Sequence, residues 1–418
     1  MRLLHTSDWH LGHTLHNIPR DFEHELFLDW LLATLDSERV DALVVAGDLF
    51  DSANPTAAAQ AQWYRFVARA RGRMPGLNLV FIGGNHDSAS RLDAPRPVFD
   101  ALGVRVVGGL PRTPDGQLDC GRLLVPLHDA AGRLAAWLAA VPFLRPVDLP
   151  RVADAATDAD PLIDGVRALY ASVLDCARSR LAKGVALLAA GHCYMVGTAL
   201  SEQSERKILG GNQHALPSDI FPADVTYAAL GHLHLAQSVG DRENVRYSGS
   251  PLPLSLAEAR YRHQVVLVEL DGDRASSIRP IEVPRAVQIL RVPATGALPP
   301  DALLAALEAL PARDDTIPES ARPYLGATVL LDRPDPGLKL RVERALEARL
   351  PRLLKLSVEY QGAGLALPEA VRATTLAELT PEEVFRKAHE RRFATAPSDT
   401  LLAAFHELVD ATMQSEGQ

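Results

Sequence analysis

Five short motifs, each at the end of a predicted apolar strand, constrain this chain more than any other feature. They are Asp8-Trp9-His10, Gly47-Asp48-Leu49-Phe50-Asp51, Gly84-Asn85-His86-Asp87, Gly191-His192 and Gly231-His232-Leu233-His234. Each alone carries little. Gly-Asp is ordinary turn chemistry, and a lone histidine after a strand is most often a hydrogen-bonded core residue. Together they put five histidines, four aspartates and an asparagine at five strand ends, of which four histidines, two aspartates and the asparagine are the candidate ligands. In layered α/β folds the carboxyl ends of strands gather on one edge, where sites form.

The strands are read from short apolar, β-branched runs that stop abruptly in polar clusters: Leu3–Thr6, Ala42–Ala46, Leu79–Ile82, Val185–Ala189 and Thr226–Leu230. Helical patterns lie between some of them, at Phe22–Leu35 and Ala57–Ala70. Alternating strands and helices predict an α/β layered core. Val245–Ser248 and Gln264–Glu269 follow one another closely, so part of the sheet is expected to be antiparallel.

From about Pro284 proline and charge become dense. Val287–Val292, Ala327–Leu331 and Leu356–Glu359 read as strands, Pro300–Leu310 and Lys339–Leu350 as helices. They predict a small separate module. Thr380-Pro381-Glu382-Glu383 reads as a capping box with proline at the first helical position, opening a helix to about Arg391. A second helix is expected from about Ser398, with Leu401, Leu402, Phe405, Leu408, Val409 and Met413 on one face. Such short amphipathic helices must pack on their own core or on a partner. The domains expected are therefore 1–284, 285–370 and 371–418.

The length of 418 residues supports such a division. No run of 18 or more uncharged apolar residues suggests a membrane span, and His5 and Asp8 fall where a signal peptide would be apolar. Cys120, Cys176 and Cys193 form no CxxC, which fits a reducing cytoplasm and excludes a zinc ribbon. The net charge of −9 argues against holding nucleic acid through the overall field. It does not argue against a nuclease, because bound cations reverse the local sign of a carboxylate-rich site.

The ligand types select a metal class. Hard divalent cations favour carboxylate and amide oxygens, and imidazole suits transition metals. A mixed Asp/His/Asn set without cysteine favours Mn²⁺, Fe²⁺ or Zn²⁺ over Ca²⁺ or structural zinc. Two metals need a bridging ligand, and an aspartate can bridge. The glycines before Asp48, Asn85, His192 and His232 permit sharp turns and close backbone approach.

The motif series resembles the calcineurin-like metallophosphoesterases, and within them the SbcD family of bacterial nuclease subunits. The matching stretches include HTSDWHLG at 5–12, VDALVVAGDLFDSANP at 40–55, GGNHDS at 83–88, ALGHLHLAQ at 229–237 and VRYSGSPLPLS at 245–255. The likeness covers about residues 1–285 well and the rest weakly, chiefly through PEEVFRKAHERR at 381–392. It implies a layered two-sheet core with helices outside, a small α+β capping domain and C-terminal helices. Carried over position by position, it assigns one metal to Asp8, His10, Asp48 and His234. The second goes to Asp48, Asn85, His192 and His232, with Asp48 bridging. His86 then faces the scissile phosphate as acid or transition-state stabiliser, and Asp87 orients it. Asp51, where archaeal relatives carry a histidine, receives no catalytic role. The metal implied is Mn²⁺, with Fe²⁺, Zn²⁺ and Mg²⁺ as alternatives.

The chemistry expected is two-metal hydrolysis of a phosphodiester, in which the cations activate water and neutralise phosphoryl charge. The residues do not name the ester, so a generic phosphodiesterase or phosphatase stays open, as does a non-catalytic scaffold for DNA ends. The resemblance implies a DNA nuclease, exonucleolytic on duplex ends and endonucleolytic on single strands and hairpins, acting in repair and recombination. It further implies a homodimer within a heterotetramer with SbcC, a coiled-coil ATPase bound by the terminal helices. No GxxxxGK[ST] occurs in the chain, so ATP hydrolysis would belong to that partner. Two basic clusters, Lys339–Lys355 and Arg386–Arg392, read as solvated helix faces unless they front the site.

Overall fold

The computed structural model describes residues 1–150, 160–196, 198–199, 215–361 and 381–393, with scattered residues up to 405. Two six-stranded sheets form its body. The first runs in the order Arg274–Glu282, Gln264–Asp271, Arg2–Thr6, Ala42–Ala46, Asn78–Ile82, Val104–Val107. Its last four strands are parallel, and Gln264–Asp271 joins them antiparallel. The second runs Gln237–Val239, Arg242–Tyr247, Tyr227–Gly231, Ala186–His192, Leu134–Ala140, Leu124–His128. Its four inner strands are parallel, and both edges are antiparallel.

The apolar runs have a physical cause. In Ala42–Ala46, residues Ala42, Val44 and Ala46 face the core between the sheets, while Leu43 and Val45 face the outer helices. A strand buried on both faces reads as a continuous apolar stretch. The outer helices are Asp21–Ser37 and Ala57–Arg73, which bury Leu31, Leu32, Trp63 and Phe66 against the first sheet. Helix Pro161–Arg178 covers the second sheet with Val166, Leu169, Tyr170 and Val173. This is the expected α/β two-sheet core with helices outside.

Beyond Val283 a three-stranded parallel sheet forms, with Tyr324–Leu331 between Ile289–Val292 and Arg352–Tyr360. Helices Pro300–Glu308 and Leu338–Leu346 bury Leu303, Leu307, Val342 and Leu346 against one of its faces. A small apolar cluster of Leu15, Val287, Tyr324 and Leu354 joins it to the body. A terminal helix spans Pro381–Phe393. Thr380 and most of the second terminal helix expected near 398–413 lie outside the described residues. Of the described residues there, Phe385 stacks on Phe405 with ring centroids 4.3 Å apart.

Candidate metal centre

The five motifs converge. Three follow adjacent parallel strands of the first sheet: Arg2–Thr6, Ala42–Ala46 and Asn78–Ile82. The other two close adjacent parallel strands of the second, Ala186–His192 and Tyr227–Gly231. The two sheets therefore present their carboxyl-terminal ends to each other at one edge of the sandwich, as such sites require.

The loops are tight. Asp8, His10, Asp48 and His232 all have positive φ, at 54°, 46°, 49° and 106°. Non-glycine residues there cost about 1–3 kcal/mol each and persist where surrounding structure over-determines them. Gly47 and Gly231 show why the sequence places glycine here. A Cβ on Gly47 would lie 2.2 Å from the His192 ring, and one on Gly231 would lie 1.9 Å from the Ala46 carbonyl oxygen.

Asp48 sits at the middle of the cluster and is buried. Its Oδ2 lies 3.6 Å from His10 Nε2 and 3.4 Å from His192 Nε2, while Oδ1 accepts from the His86 backbone N–H at 2.8 Å. On one side, Asp8, His10 and His234 bring potential ligand atoms within 4.8 Å of one another. On the other, Asp8, Asp48 and His192 do the same. Asn85 Oδ1 lies 2.9 Å from His192 Nε2 and 3.0 Å from His232 Nδ1. His192 Nδ1 donates to the Ala46 carbonyl at 2.9 Å, which turns Nε2 towards Asp48. Asp8 Oδ1 accepts from His232 N at 2.9 Å, and Asp8 Oδ2 accepts from the Ser7 hydroxyl.

The electrostatics centre on the same pair. Burial alone would raise the Asp48 carboxyl and lower His192. Their mutual attraction, with His86 and His10 also acting on Asp48, reverses both effects. It holds Asp48 well below the usual carboxylate range and lifts His192 to about 9. Burial lowers His232 to about 3, helped by the His192 charge.

A divalent cation fits this donor set. His10 Nε2 is buried without a hydrogen-bond partner, a costly arrangement unless a ligand meets it. Carboxylate, amide oxygen and imidazole together suit Mn²⁺, Fe²⁺ or Zn²⁺. His86 is also near, its ring 4.8 Å from that of His10 by centroids.

Asp87 departs from the expectation that it orients His86. Its carboxylate accepts three backbone N–H groups, from Leu49 and Gly84 at Oδ2 and from Phe50 at Oδ1. It thus clasps the Asp48 loop to its own. Burial and the nearby Asp48 charge push its pKa up to about 6. His86 is oriented instead by the Asp51 carbonyl, 2.9 Å from its Nδ1. Asp51 also brings a carboxylate oxygen 3.4 Å from His10 Nδ1. This contact had no signal in the sequence beyond proximity to Asp48.

The basic segment near 339–355 is largely occupied locally. Arg341 pairs with Asp335, Lys339 with Glu343, and Arg349 donates to the Leu310 carbonyl. Arg352 donates to the carbonyls of Ser320 and Arg322 and lies over the Tyr324 ring.

Comparison with known proteins gives the family. The calcineurin-like phosphoesterase family model matches residues 1–235, a span holding all five motifs. A Rhodobacter capsulatus protein, named as the SbcD component of the SbcCD nuclease, is 42% identical over 390 residues, covering 93% of this chain and 94% of the relative. This chain belongs to the SbcD family of calcineurin-like phosphoesterases. Relatives of the same name from Escherichia coli K12 and Bacillus subtilis are each 36% identical. The first covers 68% of both chains, and the second 64% of this chain and 66% of its own. The family model for the type 5 capsule protein repressor C-terminal domain matches residues 284–393, which hold the SbcD-family chain's third sheet and the helix Pro381–Phe393.

Proposed function

We propose that this chain is the nuclease subunit of an SbcCD-type complex, hydrolysing DNA phosphodiesters with two divalent cations. The observation that carries the reading is the position of Asp48 Oδ2 between His10 Nε2 and His192 Nε2. One carboxylate oxygen there can serve two half-sites. Asp8, His10, Asp48 and His234 would hold the first cation. Asp48, Asn85, His192 and His232 would hold the second. Mn²⁺ is the metal proposed, ahead of Fe²⁺, Zn²⁺ and Mg²⁺. When bound, such a pair supplies Lewis-acid charge neutralisation at the phosphoryl group and acidifies water.

The protein's own groups do the rest. Asp51 holds His86 Nδ1 and so turns Nε2 to the opposite side, where it can donate to the phosphoryl group or the departing oxygen. Burial lowers the His86 pKa, with Asp48 opposing. An anionic phosphate against the ring would favour its protonated form again. Asp87 acts as a clasp that keeps Asp48 and Asn85 in register. The close glycine contacts and positive-φ loops pre-form the cluster, so little reorganisation is needed on substrate binding.

The domain reading is a nuclease core over 1–284, a capping and DNA-contacting domain over 285–370, and terminal helices over 371–418 that bind the ATPase partner. Support for the partner comes from the relatives, whose name is that of a component of SbcCD. The proposed assembly is a homodimer within a heterotetramer with SbcC, acting in the cytoplasm on duplex ends and hairpins during repair and recombination. No described helix is long and apolar enough to cross a membrane.

The test is cleavage of a 5′-labelled duplex and a hairpin in Mn²⁺, Mg²⁺ or EDTA, beside Asp48→Asn. Mn²⁺-dependent cutting should appear in the wild type and fall by roughly 10³-fold or more in the variant. Cutting of a small diester alone would remove DNA as the substrate of the isolated chain. Cutting of neither would favour a scaffold.

A further inference from the structure

The segment 250–263 links the second sheet to strand Gln264–Asp271, and it carries a fully buried carboxylate, Glu258. Glu258 Oε1 accepts a hydrogen bond from His234 Nδ1 at 3.1 Å, and Oε2 accepts from Leu254 N at 2.7 Å. Placing a carboxylate out of water is costly unless its partners offset the lost hydration. Here one of those partners is a histidine of the metal cluster.

We propose that Glu258 is a positioning residue for the metal centre, setting the tautomer and angle of the His234 ring. The proposal rests on the reading of His234 as a ligand. An ionised carboxylate only accepts hydrogen bonds, so a carboxylate at Nδ1 assigns the ring proton to that nitrogen. The other nitrogen, Nε2, then carries the lone pair on the side away from Glu258. His234 belongs to the Asp8–His10–His234 group of potential ligands, with its ring 5.2 Å from that of His10 by centroids. The carboxylate also makes the imidazole a stronger base and hence a stronger ligand.

The strap holding Glu258 is itself held from two sides. His263 Nε2 lies 3.2 Å from the Glu258 carbonyl, and His263 Nδ1 lies 2.8 Å from that of Ser250. Leu256 packs into the cluster of Val287, Tyr324 and Leu354, and Arg291 donates to its carbonyl at 2.5 Å. Buried Arg20 donates to the Pro253 carbonyl while pairing with Glu23, which accepts from the Tyr324 hydroxyl at 2.7 Å. The third sheet therefore braces the strap that places Glu258 on His234.

Mn²⁺ titration of the full chain by calorimetry tests this, with wild type, Glu258→Ala, Glu258→Gln, His234→Ala and the double variant His234→Ala/Glu258→Ala. Melting in EDTA checks that each is folded. Wild type should bind two Mn²⁺. Glu258→Ala should weaken one site about 10–100-fold. Glu258→Gln keeps an acceptor for Nδ1–H and should restore most of that loss. The double variant should bind no more weakly than His234→Ala alone. Two sites of wild-type affinity in folded Glu258→Ala, or a full additional loss in the double variant, would overturn the proposal. If His234→Ala itself binds like wild type, the ligand reading fails first and takes this one with it. Should Glu258→Ala not fold, nitrogen NMR of the Zn²⁺-loaded wild type decides. A proton on His234 Nδ1 supports the proposal, and its absence there refutes it.

Discussion

The parallel strands Ala42–Ala46 and Ala186–His192 are buried at every residue, whereas Arg352–Tyr360 in the third sheet buries only Leu354. The body is covered on both faces of its sheets. The third sheet has helices on one face and meets the body through a small apolar patch, the Arg20–Glu23–Tyr324 network and the Arg291 hydrogen bond to Leu256. That contrast explains where the strained chemistry sits. Positive φ at Asp8, His10 and Asp48 falls on loops that follow strands buried at nearly every residue. The third sheet carries no comparable cluster among the described residues. Several of its charged side chains, among them Arg341, Arg349 and Arg352, hold its own loops.

The contrast can be tested at several points. The largest effect is expected at His86. His86→Asn should lose roughly 10²–10⁴-fold in cleavage rate, the usual size of an acid–base contribution, with Mn²⁺ content unchanged. Full activity would remove the ring from the chemistry. Next come two core truncations of similar cost. Leu43→Ala and Leu325→Ala each delete a fully buried leucine and should cost about 2–5 kcal/mol in denaturant unfolding. Leu43→Ala should disturb Mn²⁺ binding as well, because its strand carries Asp48. Leu325→Ala should leave Mn²⁺ stoichiometry at two while loosening the third sheet. Equal metal loss in both would mean that the two regions fold as one cooperative unit. The smallest effect is expected at Tyr324→Phe, which removes only the hydrogen bond to Glu23. About 1 kcal/mol of stability should go, since Arg20 still pairs with Glu23. A loss several times larger would make that network the principal joint between the regions.

The structure brings the proposed ligand residues together, and that clustering was legible because their constraints are local. Each stands at the end of an apolar run, and most follow a glycine that the close approach demands. Glu258 and the Asp51 carbonyl were not legible. Their partners lie 24 and 35 residues away, and nothing in the surrounding pattern marks one acid or one carbonyl among many. Asp87 shows the limit from the other side. Its neighbour in sequence is His86, yet its carboxylate turns to three backbone N–H groups. Leu134–Ala140 is a further case. Alanine-rich LAAWLAA carries helix propensity, yet it is a strand, because small side chains suit its place against Ala186–Ala190. Long-range packing decides such segments, and local pattern does not report it.

Everything proposed for the site depends on two-metal coordination around Asp48. Anomalous scattering from a crystal of the Mn²⁺-loaded chain tests it most directly. Two peaks should appear, one near Asp8, His10 and His234 and one near Asn85, His192 and His232, with Asp48 contacting both. A single peak, or a pair that Asp48 does not bridge, would contradict it.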